Sequence, residues 1–348
     1  MSVTFGRIKQ MPRCESHLRD QRERMQFVGI WMSRNKRGVL LIALGATAFC
    51  ALYFLTVVTD LNPVRNERYD SGEIDHNEQI HNGVQIRYDR AYNMTELKAQ
   101  YDLWQQSPML VGPFKPAFTP EQKAIVLLLM STFHGMCIEA NITYFLYGGS
   151  LLGSYRHHDL MPWDDDIDVI VDITQMTSLV EQLEQLPVQF EYFKAGSRMK
   201  LCLTESNRTS SYEWGWPYLD INFFEQNATH VWDSSPEFSA FVFPKELIFP
   251  LHLRPLNGLL LNAPRDTLRM LRVNYDLIYC KNWHYSHKTE YFTSFKQYKF
   301  PCKRFGAAVG RIVRRNIPGK GVLETLFDGG RVVHRVFVAE PTRDNVLI

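Results

Sequence analysis

The chain is short of several things. Six cysteines in 348 residues are too few for a disulfide-dense miniprotein. Twenty glycines and seventeen prolines exclude a collagen-like rod and a low-complexity linker, and no internal repeat is visible. Charge of one sign is missing too. Lys and Arg number 39 against 37 Asp and Glu, a net of +2, so bulk electrostatics give no reason to expect a nucleic-acid partner. What remains, 45% hydrophobic and 22% charged, is the composition of an ordinary folded chain. It is long enough for one large domain or two smaller ones.

The near-zero charge is an average over two unlike pieces. Residues 1–59 carry nine Lys or Arg against three Asp or Glu, and the remainder carries thirty against thirty-four. Between them lies Gly38–Val58, GVLLIALGATAFCALYFLTVV, without a charge. As a helix this run covers about 31 Å, the thickness of a bilayer core. A buried core helix of that length would normally show a polar face, and this one has none. Arg34, Lys36 and Arg37 abut its start, while Asp60, Glu67, Asp70 and Glu73 follow its end. The positive-inside rule puts the N-terminus in the cytosol and the rest across the membrane. A cleaved signal peptide fits poorly, because thirty-seven residues precede the run and the run exceeds an h-region.

Asn-x-Ser/Thr sequons fall at Asn93, Asn141, Asn207 and Asn227, all beyond the apolar run, which agrees with a secretory lumen. Cys137, Cys202, Cys280 and Cys302 also lie there, where disulfides persist. Spacing does not dictate the pairing; Cys280 with Cys302 is the one we favour. The expectation is a single-pass type II protein of the Golgi or ER membrane. It has a basic cytosolic tail at 1–37, an anchor at 38–58, a lumenal stem at 59–117 and a folded domain at 118–348.

Within the stem a short helix is expected over Thr95–Gln105. The domain opens at Thr119-Pro120-Glu121-Gln122, a capping-box start for a helix running to about Glu139. Thr143–Tyr147 then reads as a strand entering Gly148-Gly149-Ser150 and a second, short helix. Ile167–Val171, Val188–Phe193, Met199–Thr204 and Tyr218–Phe224 read as strands, with helical spacing over Thr174–Leu186. Helices and strands in this order predict an α/β or α+β mixed-sheet domain of roughly 220 residues.

The chemistry is concentrated in YFLYGGSLLGSYRHHDLMPWDDDIDVIVD, Tyr144–Asp172. Glycines at a strand-to-helix turn allow close backbone approach, and helix N-terminal amides with a Ser hydroxyl can hold phosphate oxygens. Asp164, Asp165, Asp166 and Asp168 follow. Side chains alternate along a strand, so Asp166 and Asp168 share a face, with Asp164 a candidate to join them. Adjacent carboxylates repel unless a cation lies between them, and Mg²⁺ or Mn²⁺ is the natural occupant. Asp220, inside the apolar strand YLDINFF, is the candidate third acid. Such a residue is costly unless paired or metal-bound, so a buried hydrogen-bond network is its alternative role.

The stretch GGSLLGSYRHHDLMPWDDDID resembles the signature of the LicD/fukutin-related phosphotransferases, which have a nucleotidyltransferase-type fold. FPLHLRPLNGLLLNAPRDTLRMLRVNY, Phe249–Tyr275, is similar to that family's C-terminal block, and the likeness covers about residues 120–280. The resemblance implies transfer of a phospho-alcohol, such as phosphocholine or ribitol phosphate, from a CDP-alcohol donor to a glycan acceptor, releasing CMP. It would place donor phosphates at Gly149 and Ser150 beside Gly148, and metal at Asp166, Asp168 and Asp220. Asp220 is then also a candidate to take the proton of the attacking hydroxyl.

Other residues are less informative. Arg156 could steady a phosphate oxygen or be a solvated helix charge. His157 and His158 read as surface residues. Cys280, His284, His287 and Cys302 match no standard zinc spacing, so a disulfide with exposed histidines is expected. The basic run Arg311–Arg315 reads as a solvated helix face, though an anionic acceptor glycan could use it. Two rivals remain: a Golgi glycosyltransferase using an Asp-x-Asp site, and an inactive glycan-binding or scaffold relative. Against the first, the acidic pair here precedes an apolar strand where such enzymes have it ending one. Against the second, all three expected carboxylates are present.

Overall fold

The computed structural model describes residues 93–208, 212–282, 285–292, 297–328 and 330–339. Every described residue lies within the unit spanning residues 84–348. The expected basic tail, the apolar run 38–58 and the stem up to residue 92 fall outside the described residues. Among those described, no helix is long and apolar enough to cross a membrane.

The folded body begins earlier than the capping box suggested. Helix α1 (Met94–Gln106) packs on α2 (Pro120–Glu139), with Leu97 buried in the main core. Trp104, Leu110 and Phe114 join Met161, Cys280 and Phe305 in a second core. A buried ion pair, Lys123 Nζ to Asp159 Oδ2 at 2.6 Å, is shared with Gln100 of α1. Residues 93–117 are therefore part of the body and not of a stem. Polar positions dominate the sequence of α1; Leu97 and Trp104 pack inward, while Leu103 is exposed.

At the start of α2 the expected cap is present. Thr119 Oγ1 accepts the Gln122 amide at 3.3 Å, and Gln122 Oε1 accepts the Thr119 amide at 2.9 Å. Val126, Leu127, Leu129, Met130 and Phe133 of α2 are wholly buried. Each such side chain contributes about 1.5–3 kcal/mol to the fold.

Helix α2 packs against a seven-stranded mixed sheet of order β1-β2-β5-β4-β3, with β6 and β7 joined through β5. The strands are β1 (Tyr144–Leu146), β2 (Ile167–Asp172), β3 (Phe190–Ala195), β4 (Arg198–Arg208), β5 (Gly215–Gln226), β6 (His230–Asp233) and β7 (Val242–Pro244). Only β2 and β5 run parallel; the other pairings are antiparallel. Helix α3 (Gly148–His157) connects β1 to the segment leading into β2, and α4 (Met176–Leu183) follows β2. Two registers set up the site. Asp168 is paired with Asp220, and Asp220 with Lys200. Paired residues project to the same face, so an acid, an acid and a lysine form a row across β2, β5 and β4.

Helix α5 (Lys245–Ile248), the hairpin β8–β9 (His252–Leu256 and Leu259–Ala263) and α6 (Thr267–Asn274) close one side. Beyond them, β10 (Tyr279–Asn282) pairs with β13 (Tyr298–Pro301), and Cys280 and Cys302 form a disulfide. Cys137 and Cys202 are buried free thiols. A two-residue-per-strand hairpin, β11 (Tyr285–Ser286) and β12 (Tyr291–Phe292), lies between β10 and β13 in the chain.

The chain ends in an antiparallel meander, β14 (Arg311–Ile317), β15 (Gly321–Asp328) and β16 (Arg331–Ala339). Arg311–Arg315 is thus a strand where a helix face was expected. Glu324 of β15, 2% exposed, accepts from Arg254 (2.8 Å) and Arg314 (2.8 Å) and meets His158 Nε2 at 2.9 Å. His158 is correspondingly buried, and His157 half-buried, not on the surface as read. The partner that draws His158 inward is 166 residues away in sequence.

Candidate active site

Asp166, Asp168 and Asp220 each offer an oxygen, and these oxygens lie within 4.8 Å of one another. Asp166 enters at the head of β2, Asp168 follows two residues on, and Asp220 faces Asp168 from β5. Asp166 is 3% exposed and Asp220 1%, while Asp168 is half-buried. Burial, together with the neighbouring Asp165 and Asp220 charges, pushes Asp166 up to about 6 even though His287 and Lys200 oppose it. Burial and then the Asp166 charge push Asp168 and Asp164 well above the usual carboxylate range. This is a concentration of negative charge that the surrounding protein only partly offsets.

The Gly148–Gly149 turn is pressed against these acids. Gly148 has φ +52°, a left-handed conformation that favours glycine, and a Cβ there would lie 2.5 Å from Asp168 Oδ2. A Cβ at Gly149 would collide with the Asp164 carboxylate. The two glycines thus admit the carboxylates to the mouth of α3. Ser150 is placed differently from expectation. It is fully buried, and its Oγ accepts the Asp168 amide at 2.8 Å, tying α3 to β2. Arg156 is likewise engaged within the fold. Its guanidinium donates to the Asp276 and Leu277 carbonyls at 3.3 and 3.2 Å and to Cys280 Sγ at 3.4 Å.

Four further residues surround the trio: Lys200, Arg198 and Glu290, which sequence reading passed over, and His287, which it read as exposed. Lys200 Nζ lies 3.4 Å from Asp220 Oδ2 and 3.5 Å from Glu290 Oε1, above the Tyr218 ring at 3.7 Å. Arg198, two residues earlier on β4, lies 3.6 Å from Asp220 Oδ2. His287 Nδ1 is 2.7 Å from Asp165 Oδ1 and its Nε2 3.2 Å from Asp166 Oδ2. Burial alone would lower His287, but the Asp166 and Asp165 charges outweigh it and hold the imidazole at about 10. His287 is therefore not the exposed histidine expected, while His284 lies outside the described residues. Glu290 Oε1 accepts from Tyr218 Oη at 2.6 Å and Trp214 Nε1 at 3.0 Å, and its Oε2 accepts from Tyr285 Oη at 2.7 Å. It fastens the β11–β12 hairpin to the sheet beside the acids. One signal was available for Lys200: a lone cation inside the apolar MKLCL run is as anomalous as Asp220 in YLDINFF. Pairings spanning more than seventy residues left no such trace for His287 and Glu290.

The donor set suits a divalent metal. It consists of hard carboxylate oxygens, and Asp220 Oδ1 is buried with no hydrogen-bond partner among the described residues. An unpartnered carboxylate oxygen facing other carboxylates is costly without a cation. The sequon residues Asn141, Asn207 and Asn227 are exposed. Asn93 caps α1, its Oδ1 accepting the Thr95 and Glu96 amides.

Residues 141–266 match the family model described as LicD/FKTN/FKRP, nucleotidyltransferase domain. The chain is 47% identical over 49 residues to a Haemophilus influenzae protein named lipopolysaccharide cholinephosphotransferase LicD, covering 14% of this chain and 18% of that one. It is 27% identical over 151 residues to human ribitol 5-phosphate transferase FKRP, covering 40% and 29%. To human ribitol-5-phosphate transferase FKTN it is 23% identical over 181 residues, covering 50% and 35%. These matches span only about a third or less of each relative's length.

Proposed function

We propose, from the premise that through residues 141–266 the chain belongs to the LicD/FKTN/FKRP nucleotidyltransferase family, that it is a metal-dependent phosphotransferase. It would move a phospho-alcohol from a CDP-alcohol donor to a hydroxyl of a glycan acceptor and release CMP. The observation that carries this reading is the convergence of Asp166, Asp168 and Asp220 within 4.8 Å. Relatives named for choline phosphate and ribitol phosphate transfer support the class of cargo.

In the reaction the acceptor oxygen forms a new bond to the phosphorus bearing the alcohol. The bond from that phosphorus to the CMP oxygen breaks, and CMP leaves with the electron pair. Mg²⁺ or Mn²⁺ held by the three aspartates would supply charge neutralisation at phosphorus. We assign the attacking hydroxyl's proton to Asp220, which Lys200 and Arg198 hold through Oδ2 while Oδ1 stays unpartnered. Trp216 Nε1 donates to the Asp165 carbonyl at 2.7 Å, and His287 grips Asp165 and Asp166, so the acidic loop is set before substrate arrives.

The setting we propose is the lumen of the Golgi or ER, with the chain tethered by residues 38–58. The one-sided charge, the sequons and the Cys280–Cys302 disulfide support it. Thermal melting of the full-length protein separates a catalyst from an inactive scaffold. With Mn²⁺ and one of CDP-choline, CDP-ribitol or CDP-glycerol, the wild type should gain several degrees and Asp166→Asn should not. No gain with any donor would count for the scaffold.

A further inference from the structure

We propose that Arg198 and Lys200, side by side on one face of β4, form the anion subsite that receives the donor's diphosphate. The inference rests on the phosphotransfer reading and adds the residues that recognise the phosphates.

The two side chains first expected there are engaged elsewhere. Ser150 Oγ accepts the Asp168 amide from a fully buried position, and Arg156 holds the 276–277 carbonyls. Arg198 and Lys200 instead face the acids directly, both within 3.6 Å of Asp220 Oδ2. Each cation is held in place by an aromatic ring. The Arg198 guanidinium lies 4.7 Å from the Phe238 centroid, and Lys200 Nζ 3.7 Å from that of Tyr218. Ring contacts of this kind orient a cation while leaving its N–H groups available. The Arg198 side chain is 27% exposed, so its planar fork is accessible and matches two phosphate oxygens. The Lys200 side chain is only 7% exposed, a depth at which an ammonium needs an anion at all times.

Charge accounting supplies the reason for both. In the structure, Asp220 Oδ2 serves as counter-ion to the two cations. A divalent metal on Asp166, Asp168 and Asp220 would draw that carboxylate's charge away from them. Glu290 remains beside Lys200, and the deficit falls chiefly on Arg198. A diphosphate bridging from the metal to β4 restores the balance, and a neutral sugar hydroxyl does not.

The test measures two affinities on the full-length protein: Mn²⁺ by electron paramagnetic resonance, and CDP or inorganic pyrophosphate in the presence of Mn²⁺ by calorimetry. For Arg198→Gln, a quarter-exposed position with little demand on folding, the expected result is at least about tenfold weaker CDP and pyrophosphate binding. Mn²⁺ affinity should stay unchanged or rise. Arg198→Lys should recover only part of the loss, because it lacks the fork. Lys200→Met should weaken both anions as well, with its melting temperature read alongside. Unchanged anion affinity in Arg198→Gln together with tighter Mn²⁺ would overturn the proposal, since the cations would then serve only to neutralise Asp220. Failure of the wild type to bind either anion would overturn it too. Pyrophosphate bound through Arg198 without CDP binding would keep the subsite and remove the cytidine donor from the functional reading.

Discussion

Asp220 and Lys200 are charged residues in strands that are otherwise apolar, and in the fold they oppose each other across β5 and β4. The acid's anomaly is legible because it offers a third carboxylate to the distant Asp164–Asp168 run; the lysine's is equally present but has no such run to point to it. Ser150 and Arg156 show the reverse error. A Ser at a helix mouth and an Arg six residues further on fit phosphate binding by residue type, but a backbone amide and two carbonyls claim them in the fold. Pattern indicates which groups are chemically apt, and only packing decides which remain unclaimed. Gly149 is a sharp residue-scale test. Gly149→Ala would drive a methyl group into the Asp164 carboxylate. We expect it to lower CMP release at least about tenfold, with the melting temperature falling only a few degrees. Wild-type activity in that variant would mean the glycine turn does not shape the site.

At the scale of elements, β2, β5 and α2 were legible because their apolar patterns and caps are local. The meander β14–β16 was not, since arginines at 311, 314 and 315 fall at i, i+3 and i+4 and mimic a solvated helix face until a buried partner appears. That partner, Glu324, joins the meander to α3 and β8 through His158, Arg254 and Arg314. Burial alone would raise the Glu324 carboxyl, but His158 and the two guanidinium groups outweigh it and hold it down at about 2. A carboxylate whose folded-state value is depressed contributes stability that is complete above its unfolded value. That contribution fades as pH falls from about 4.5 toward 2. Urea unfolding of the wild type should therefore show declining stability over this range. Glu324→Gln should cost about 3–5 kcal/mol at pH 7, because Arg254 is left buried without its anion, and should flatten the acid decline. A variant as acid-sensitive as the wild type would show that other carboxylates govern the loss.

Over the whole molecule, the folded body reaches back at least to Asn93, and α1 supplies Leu97 and Trp104 to two cores. Removing residues 1–117 should cost more than about 4 kcal/mol and lower the melting temperature by about ten degrees or more. A deletion that melts like the full chain would contradict this boundary. The same body carries a segment outside the 141–266 match, the β11–β12 hairpin, whose His287 and Glu290 complete the surroundings of the acids. On the proposed reading these acids serve metal-dependent transfer. The most direct test is CMP release from a CDP-alcohol and a glycan acceptor by the full-length protein, with Asp166→Asn and Asp168→Asn in parallel. Release should require Mg²⁺ or Mn²⁺, stop with a chelator, and fall at least about a hundredfold in each variant. Equal release by wild type and both variants, or release that survives chelation, would contradict the account.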